Sequence, residues 1–171
     1  IGSGTLSISN SIANDDYSMS ANEGTLVLAA AVGGGNNYGA DSLAINGGTV
    51  RMGSAGGNNQ NVNNAATVTI NSGLLDLNGY GEAVAALAGT GGTITSAVAA
   101  TVSVGSGNGS GSYGGAIVGS LALTKVGTGT QTLSGNSTHT GATAVNGGTL
   151  AVDGTVAGST VTVNGSGTLA G

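Results

Sequence analysis

The sequence predicts an all-β chain folded as a single-stranded right-handed parallel β-helix, a β-solenoid of about eight to nine coils with three extruded loops. Three observations predict it. A Gly-Thr-Leu-type signature returns at steps of about twenty residues along the whole chain. An Asn-Gly corner precedes several of these signatures. Finally, 36 of 171 residues are Gly, with abundant Val, Leu, Ile and Ala but no Pro, Phe, Trp or Cys.

The signature reads Gly4-Thr5-Leu6, Gly24-Thr25-Leu26, Gly48-Thr49-Val50, Gly73-Leu74-Leu75 and Gly92-Thr93-Ile94. It is looser at Gly115-Ala116-Ile117 and Gly129-Thr130-Gln131, and clean again at Gly148-Thr149-Leu150 and Gly167-Thr168-Leu169. Leu6 to Leu169 is eight steps over 163 residues, a mean of about 20. Aliphatics alternating with Thr, Ser or Asn suit a pleated strand with one face buried. Inward positions on this reading include Leu6, Ile8, Leu26, Leu28, Val50, Ile70, Leu75, Ile94, Leu123, Val145, Leu150, Val161, Val163 and Leu169. Parallel crossovers favour the right-handed coil.

The corners are Leu43-Ala44-Ile45-Asn46-Gly47-Gly48, Val68-Thr69-Ile70-Asn71-Ser72-Gly73, Ala144-Val145-Asn146-Gly147-Gly148 and Val161-Thr162-Val163-Asn164-Gly165-Ser166-Gly167. Asn and Gly tolerate the positive φ that a tight corner requires. One such pair between short strands would indicate a hairpin. Its return at one period argues instead for coils stacked about 4.8 Å apart. Asn46, Asn71, Asn146 and Asn164 would then align as one hydrogen-bonded ladder, since their separations are 25, 75 (three times 25) and 18.

Three stretches break the rhythm, 33–41, 53–65 and 105–115, each rich in Gly, Asn or Ser, and these are the expected extruded loops. The repeat resumes beyond each one. The expected organisation is therefore a single rod over 1–171, irregular with loops over 1–72 and more regular over 73–171. Both termini carry repeat sequence without a polar cap, which points to part of a longer rod or to a unit that stacks end to end.

Composition excludes several classes. Arg51 and Lys125 are the only cations beyond one His, and the net charge is −5, so no basic patch exists to neutralise a nucleic-acid backbone. Without Cys there is no disulfide framework and no thiolate metal site. The longest aliphatic run, 26–32, is too short for a membrane-spanning helix. No signal peptide is visible before the repeat-like sequence at Ile1, so a mature or excised chain is expected.

The segment Leu123-Thr124-Lys125-Val126-Gly127-Thr128-Gly129-Thr130-Gln131-Thr132-Leu133-Ser134-Gly135-Asn136, continuing through His139 to Asn146-Gly147-Gly148-Thr149-Leu150, closely resembles the autotransporter-associated β-strand repeat, also called the passenger-associated transport repeat. The stretch Gly73-Leu74-Leu75-Asp76-Leu77-Asn78-Gly79 through Ile94 resembles its usual upstream neighbour. His139 stands where the family often carries Tyr, and Gln131 where it usually carries Leu. The resemblance is strong over 73–171 and looser before. It implies a right-handed β-helix in the secreted passenger of a bacterial surface protein.

Candidate chemistry is sparse. A lone His139 assembles no Ser-His-Asp arrangement by spacing and reads as a strand or turn position. Asp15, Asp16 and Glu23 read as a solvated acidic turn rather than a calcium site. Asp76 and Glu82 could in principle form a glycosidase pair, but sugar-stacking aromatics are nearly absent. Tyr38 and Tyr113 lie in expected loops, where an exposed ring would serve as a contact. The expectation is thus a non-catalytic structural or adhesive stalk at the cell surface, without cofactor or metal. Its expected partners are flanking or further copies of the same solenoid and a host or neighbouring-cell ligand. The alternative is a subunit of an extracellular filament built by end-to-end stacking.

Overall fold

A computed structural model describes residues 3–8, 17–29, 40–53 and 61–171. Every strand pairing it contains is parallel, and the rungs stack into a three-sided β-solenoid of about seven turns. The longest stack on the first face runs Thr5–Ile8, Thr25–Leu28, 49–52, 74–76, 93–95 and 116–118. Beyond these stand Asn136–Ser137 and Thr155–Val156. The second face is Glu82–Val84, 100–104, 121–125, 143–145 and 161–163. The third begins with Tyr17–Ala21, 42–45, 67–70 and Ala86–Ala88. It continues with Gly111–Tyr113, Thr130–Leu133, 149–152 and 166–170.

The period-two alternation does what a half-buried strand should. Thr25–Leu28 alternates partly exposed with buried side chains, and so does 67–70. Inward residues form columns one rung apart. The first face stacks Leu26, Val50, Leu75, Ile94 and Ile117, each 3% exposed or less. Each buried aliphatic so placed contributes about 1.5–3 kcal/mol, and each coil covers the next, so the core is continuous although narrow.

The pairing corrects the sequence reading at four points. The nine signatures do not form one column. Six lie on the first face, from Leu6 to Ile117, while Gln131, Leu150 and Leu169 stack on the third. The step from Ile117 to Gln131 is only 14 residues because it crosses between faces within one coil, which is why counting signatures gave more coils than exist. Second, Leu6, Val161, Val163 and Leu169 are 37–46% exposed rather than buried, because they lie on the outermost described rungs and no described rung stacks over them. The side chain of Ile8 lies outside the described residues.

Third, residues 105–115 are not an extruded loop. They form a corner with one 3-10 turn at Ser106–Asn108, followed directly by the rung Gly111–Tyr113. The glycines make this possible: Gly105 and Gly107 adopt φ of 99° and 63°, and Gly109 and Gly111 leave no room for a Cβ against Ala85 and Leu87. Of the other two expected loops, 33–39 and 54–60 lie outside the described residues, and 61–65 returns onto the rod with Asn61 and Val62 buried.

Fourth, the four corner asparagines occupy two different corners. Asn46 and Asn71 turn from the third face to the first, whereas Asn146 and Asn164 turn from the second to the third. The 75-residue spacing between Asn71 and Asn146 is coincidental with the coil length.

Candidate functional site

The corner asparagines make two short ladders on the surface. Asn46 Nδ2 donates to Asn22 Oδ1 at 3.1 Å and Asn71 Nδ2 to Asn46 Oδ1 at 2.9 Å. Asn164 Nδ2 donates to Asn146 Oδ1 at 2.9 Å. Each amide is donor to one rung and acceptor from another, so a ladder can extend wherever Asn recurs at the same corner. Asn22, in Asn22-Glu23-Gly24, has the same spacing to Gly as Asn71 in Asn71-Ser72-Gly73, and the sequence reading passed over it.

The possible contact tyrosines fare differently. Tyr38 lies outside the described residues. Tyr113 is fully buried and cannot anchor an external contact as placed. Its ring points inward on a third-face rung between Gly89, which has no side chain, and Leu133. Its hydroxyl donates to Ala116 O at 3.4 Å, and burial pushes its pKa above the ordinary phenol range.

The acids singled out as a pair are engaged separately. Asp76 faces outward, 3.4 Å from Arg51 Nε on the adjacent rung, and accepts the Asn78 N–H at 2.9 Å. Glu82 faces inward and accepts two backbone N–H groups. Asp15 and Asp16 lie outside the described residues, and Glu23 is exposed.

The buried polar side chains share one use: most meet backbone groups that the parallel ladder leaves without partners. Gln131 is the clearest. Its register neighbour is Gly111, and the amide reaches past that glycine to the rung beyond. Nε2 donates to Leu87 O at 2.9 Å and Oε1 accepts the Leu87 N–H at 3.1 Å, so the carboxamide stands in for a missing peptide. Ser137 Oγ accepts the Ile117 N–H at 3.2 Å. Ser96 Oγ accepts the Gly79 N–H at 2.9 Å and donates to Val98 O at 2.6 Å.

Lys125 is the inward residue between Val104 and Val145 on the second face and is fully buried. Its ammonium donates to Val126 O at 2.6 Å, Gly147 O at 3.3 Å and Gly127 O at 3.4 Å. Three donors meet three corner carbonyls from two successive coils, while burial pulls the pKa below the usual lysine value. Lys125→Met is expected to destabilise the chain by about 2–4 kcal/mol, read from the denaturant midpoint, because it leaves those carbonyls unpaired.

His139 is buried beside a directed chain of hydroxyls. Ser159 Oγ donates to Gly141 O at 2.7 Å, so Thr143 Oγ1 must donate to Ser159 at 2.8 Å. Thr143 must then accept from His139 Nε2 at 2.9 Å, which assigns the proton to Nε2 and leaves Nδ1 a bare acceptor, the ring nitrogen without a partner. Burial lowers the His139 pKa, against an opposing bond from Ile117. The ring is neutral near pH 7, and its share of stability is lost as pH falls below the ordinary histidine value of about 6.5.

Sequence reasoning passed over Glu82, Lys125 and Gln131 as core residues, yet the alternation contains them. Glu82 is two before Val84, Lys125 two after Leu123, and Gln131 two before Leu133. A polar residue in phase with buried neighbours was the available signal.

This arrangement defines a class: a parallel β-solenoid whose buried polar groups secure its own backbone. Residues 123–152 match the passenger-associated-transport-repeat family, a segment that begins at the second-face rung with Lys125 and takes in Gln131, His139 and Thr143. The chain is a parallel β-solenoid that carries that repeat over these residues. It is 37% identical over 154 residues to the adhesin BmaC autotransporter of Brucella suis biovar 1 (strain 1330), an alignment covering 85% of this chain and 4% of that adhesin. The chain thus spans a small part of the relative's length. No solved structure matches it.

Proposed function

We propose that the chain is a segment of an exported, non-catalytic β-helical stalk in a bacterial cell-surface autotransporter-like protein, with a structural and adhesive role. The supporting observation is the solenoid whose buried polar side chains are committed to its own backbone, together with similarity to a named adhesin over most of the chain. A stack of rungs about 4.8 Å apart gains length linearly with repeats and holds distal surfaces away from the cell. Its partners are flanking solenoid coils and a ligand on a host or neighbouring cell. Antibodies against this segment should label intact bacteria and lose the label after external protease; labelling only of permeabilised cells would defeat the surface assignment.

A second reading, a filament subunit stacked end to end, draws on the apolar recess lined by Val152, Val156, Val161, Leu169 and Ala170 of the last described rungs. Negative-stain images of the purified chain separate the two: unbranched fibres support the filament, and persistent single rods remove it.

A further inference from the structure

Glu82 opens a second-face rung, and its side chain heads the inward column Glu82, Val102, Leu123, Thr143 and Val161. It is 4% exposed. Its nearest neighbours on that column, Val102 and Leu123, are apolar, so a carboxyl here is a departure that needs a reason. The reason is the covering turn at 61–65, which occupies the place of the preceding rung. Glu82 Oε2 accepts the Asn61 N–H at 2.8 Å and Oε1 accepts the Val62 N–H at 3.0 Å. The turn is closed on itself by Ala66 N–H to Asn63 O at 2.8 Å and Ala65 N–H to Asn63 Oδ1 at 2.9 Å. The Glu82 carboxyl therefore replaces the carbonyls that a strand would offer to residues 61 and 62. Beside it, Asn61 is fully buried with both Oδ1 and Nδ2 unpartnered.

Among the described residues no cation lies beside this carboxyl, and a negative charge here is met only by Asn61 and the Val62 N–H. The sequence has no Asp, Glu, Lys, Arg or His over 53–75 or 83–124, which covers the turn, the rest of this rung and the rung at 100–104 packed against it. Arg51 is engaged with Asp76 and with Asn78 Oδ1, and Lys125 with corner carbonyls. The remaining titratable groups of these coils are phenols: Tyr80, packed against the core, and Tyr113, bonded to Ala116.

We propose that Glu82 is a proton-controlled clasp: its neutral carboxyl holds the 61–65 turn on the solenoid, and its ionisation releases that turn. The neutral form keeps oxygen lone pairs for the two N–H groups, and its hydroxyl has an acceptor in Asn61 Oδ1 once that carboxamide turns over. The ionised form strands a charge in an apolar column, a state relieved by opening the turn to water. Burial pushes the Glu82 pKa from 4.5 up to about 8, against the opposing bonds from Asn61 and Val62. A folded-state value raised above the unfolded one means that the closed turn is favoured fully below about pH 4.5, and that this preference is lost as pH rises through about 8. The clasp is closed in mildly acidic surroundings and loosens on the alkaline side of neutrality.

Hydrogen exchange on the whole chain tests this directly. Protection of the Asn61 and Val62 amides, normalised to their intrinsic exchange rates, should fall at least tenfold between pH 6 and pH 9. Protection at Leu123 and Val145 should hold. Glu82→Gln, a neutral isostere that still offers an acceptor, should keep the turn protected at both pH values. Constant protection at Asn61 and Val62 in the unmodified chain would overturn the proposal. A carbon-13 titration of the Glu82 carboxyl gives a check that needs no variant: a midpoint above 7 supports the clasp, and one at or below 5 removes it.

Discussion

Replacing Ile70 by Asp is expected to destabilise the chain by about 4 kcal/mol or more, whereas the same change at Val163 should cost no more than about 1 kcal/mol. Both residues looked equivalent in the repeat, as inward positions just before an Asn corner. Ile70 is fully buried, with Ile45 beside it on the preceding rung and Gly89 on the next. A carboxylate there has neither water nor a cation. Val163 is 46% exposed on the last described rung, where a carboxylate stays hydrated in this chain. In a linear stack the damage from Ile70→Asp should be local first, so amides of 42–45 and 67–70 should lose protection before those of 143–145. Equal effects of the two substitutions, measured by denaturant midpoint, would contradict the assigned inward faces.

Gln131→Leu is the second large effect, an expected loss of about 2–4 kcal/mol. Leu is what the resembling repeat usually carries here, so a family-based expectation is a neutral or stabilising change. The local geometry reverses it. Leu87 would be left with its N–H and C=O unpaired inside the core, and Leu cannot supply either bond. The amide has space only because Gly111 lies between: a Cβ at Gly111 would stand 2.3 Å from Leu87 O and 3.2 Å from Gln131 Oε1. Gln131 and Gly111 are therefore a matched pair, and Gly111→Ala should be about as damaging as the loss of the amide. The combined variant should cost less than the sum of the two, since each removes the same bridge. Strict additivity in the double-mutant cycle would show that Gln131 acts alone.

Much of this molecule was legible because a solenoid writes its three-dimensional repeat into a one-dimensional period. Glycine-preceded Thr-Leu rungs, alternating aliphatics and Asn corners are local features, each set by a few adjacent residues. They carry the all-β parallel fold and most of the inward column from Leu26 to Ile117. The passenger-type repeat was legible from Leu123 onwards for the same reason.

Which rung lies over which is a different kind of information. A corner at Asn71 and a corner at Asn146 look alike locally, and only the stacking of faces shows that they turn at different edges. Tyr113 follows a Gly- and Ser-rich run and reads as a loop, yet it bridges to Gly89, which has no side chain, and its ring is buried. Glu82, Lys125 and Gln131 read as polar exceptions within strands, and each has a partner in another coil, 20, 22 and 44 residues away. The sequence by itself determined the period, the parallel solenoid and the passenger-type repeat, since these follow from neighbouring residues. Only the tertiary structure decided the two corner ladders, the burial of Tyr113 and the polar latches, because each depends on groups that stacking brings in from a different coil.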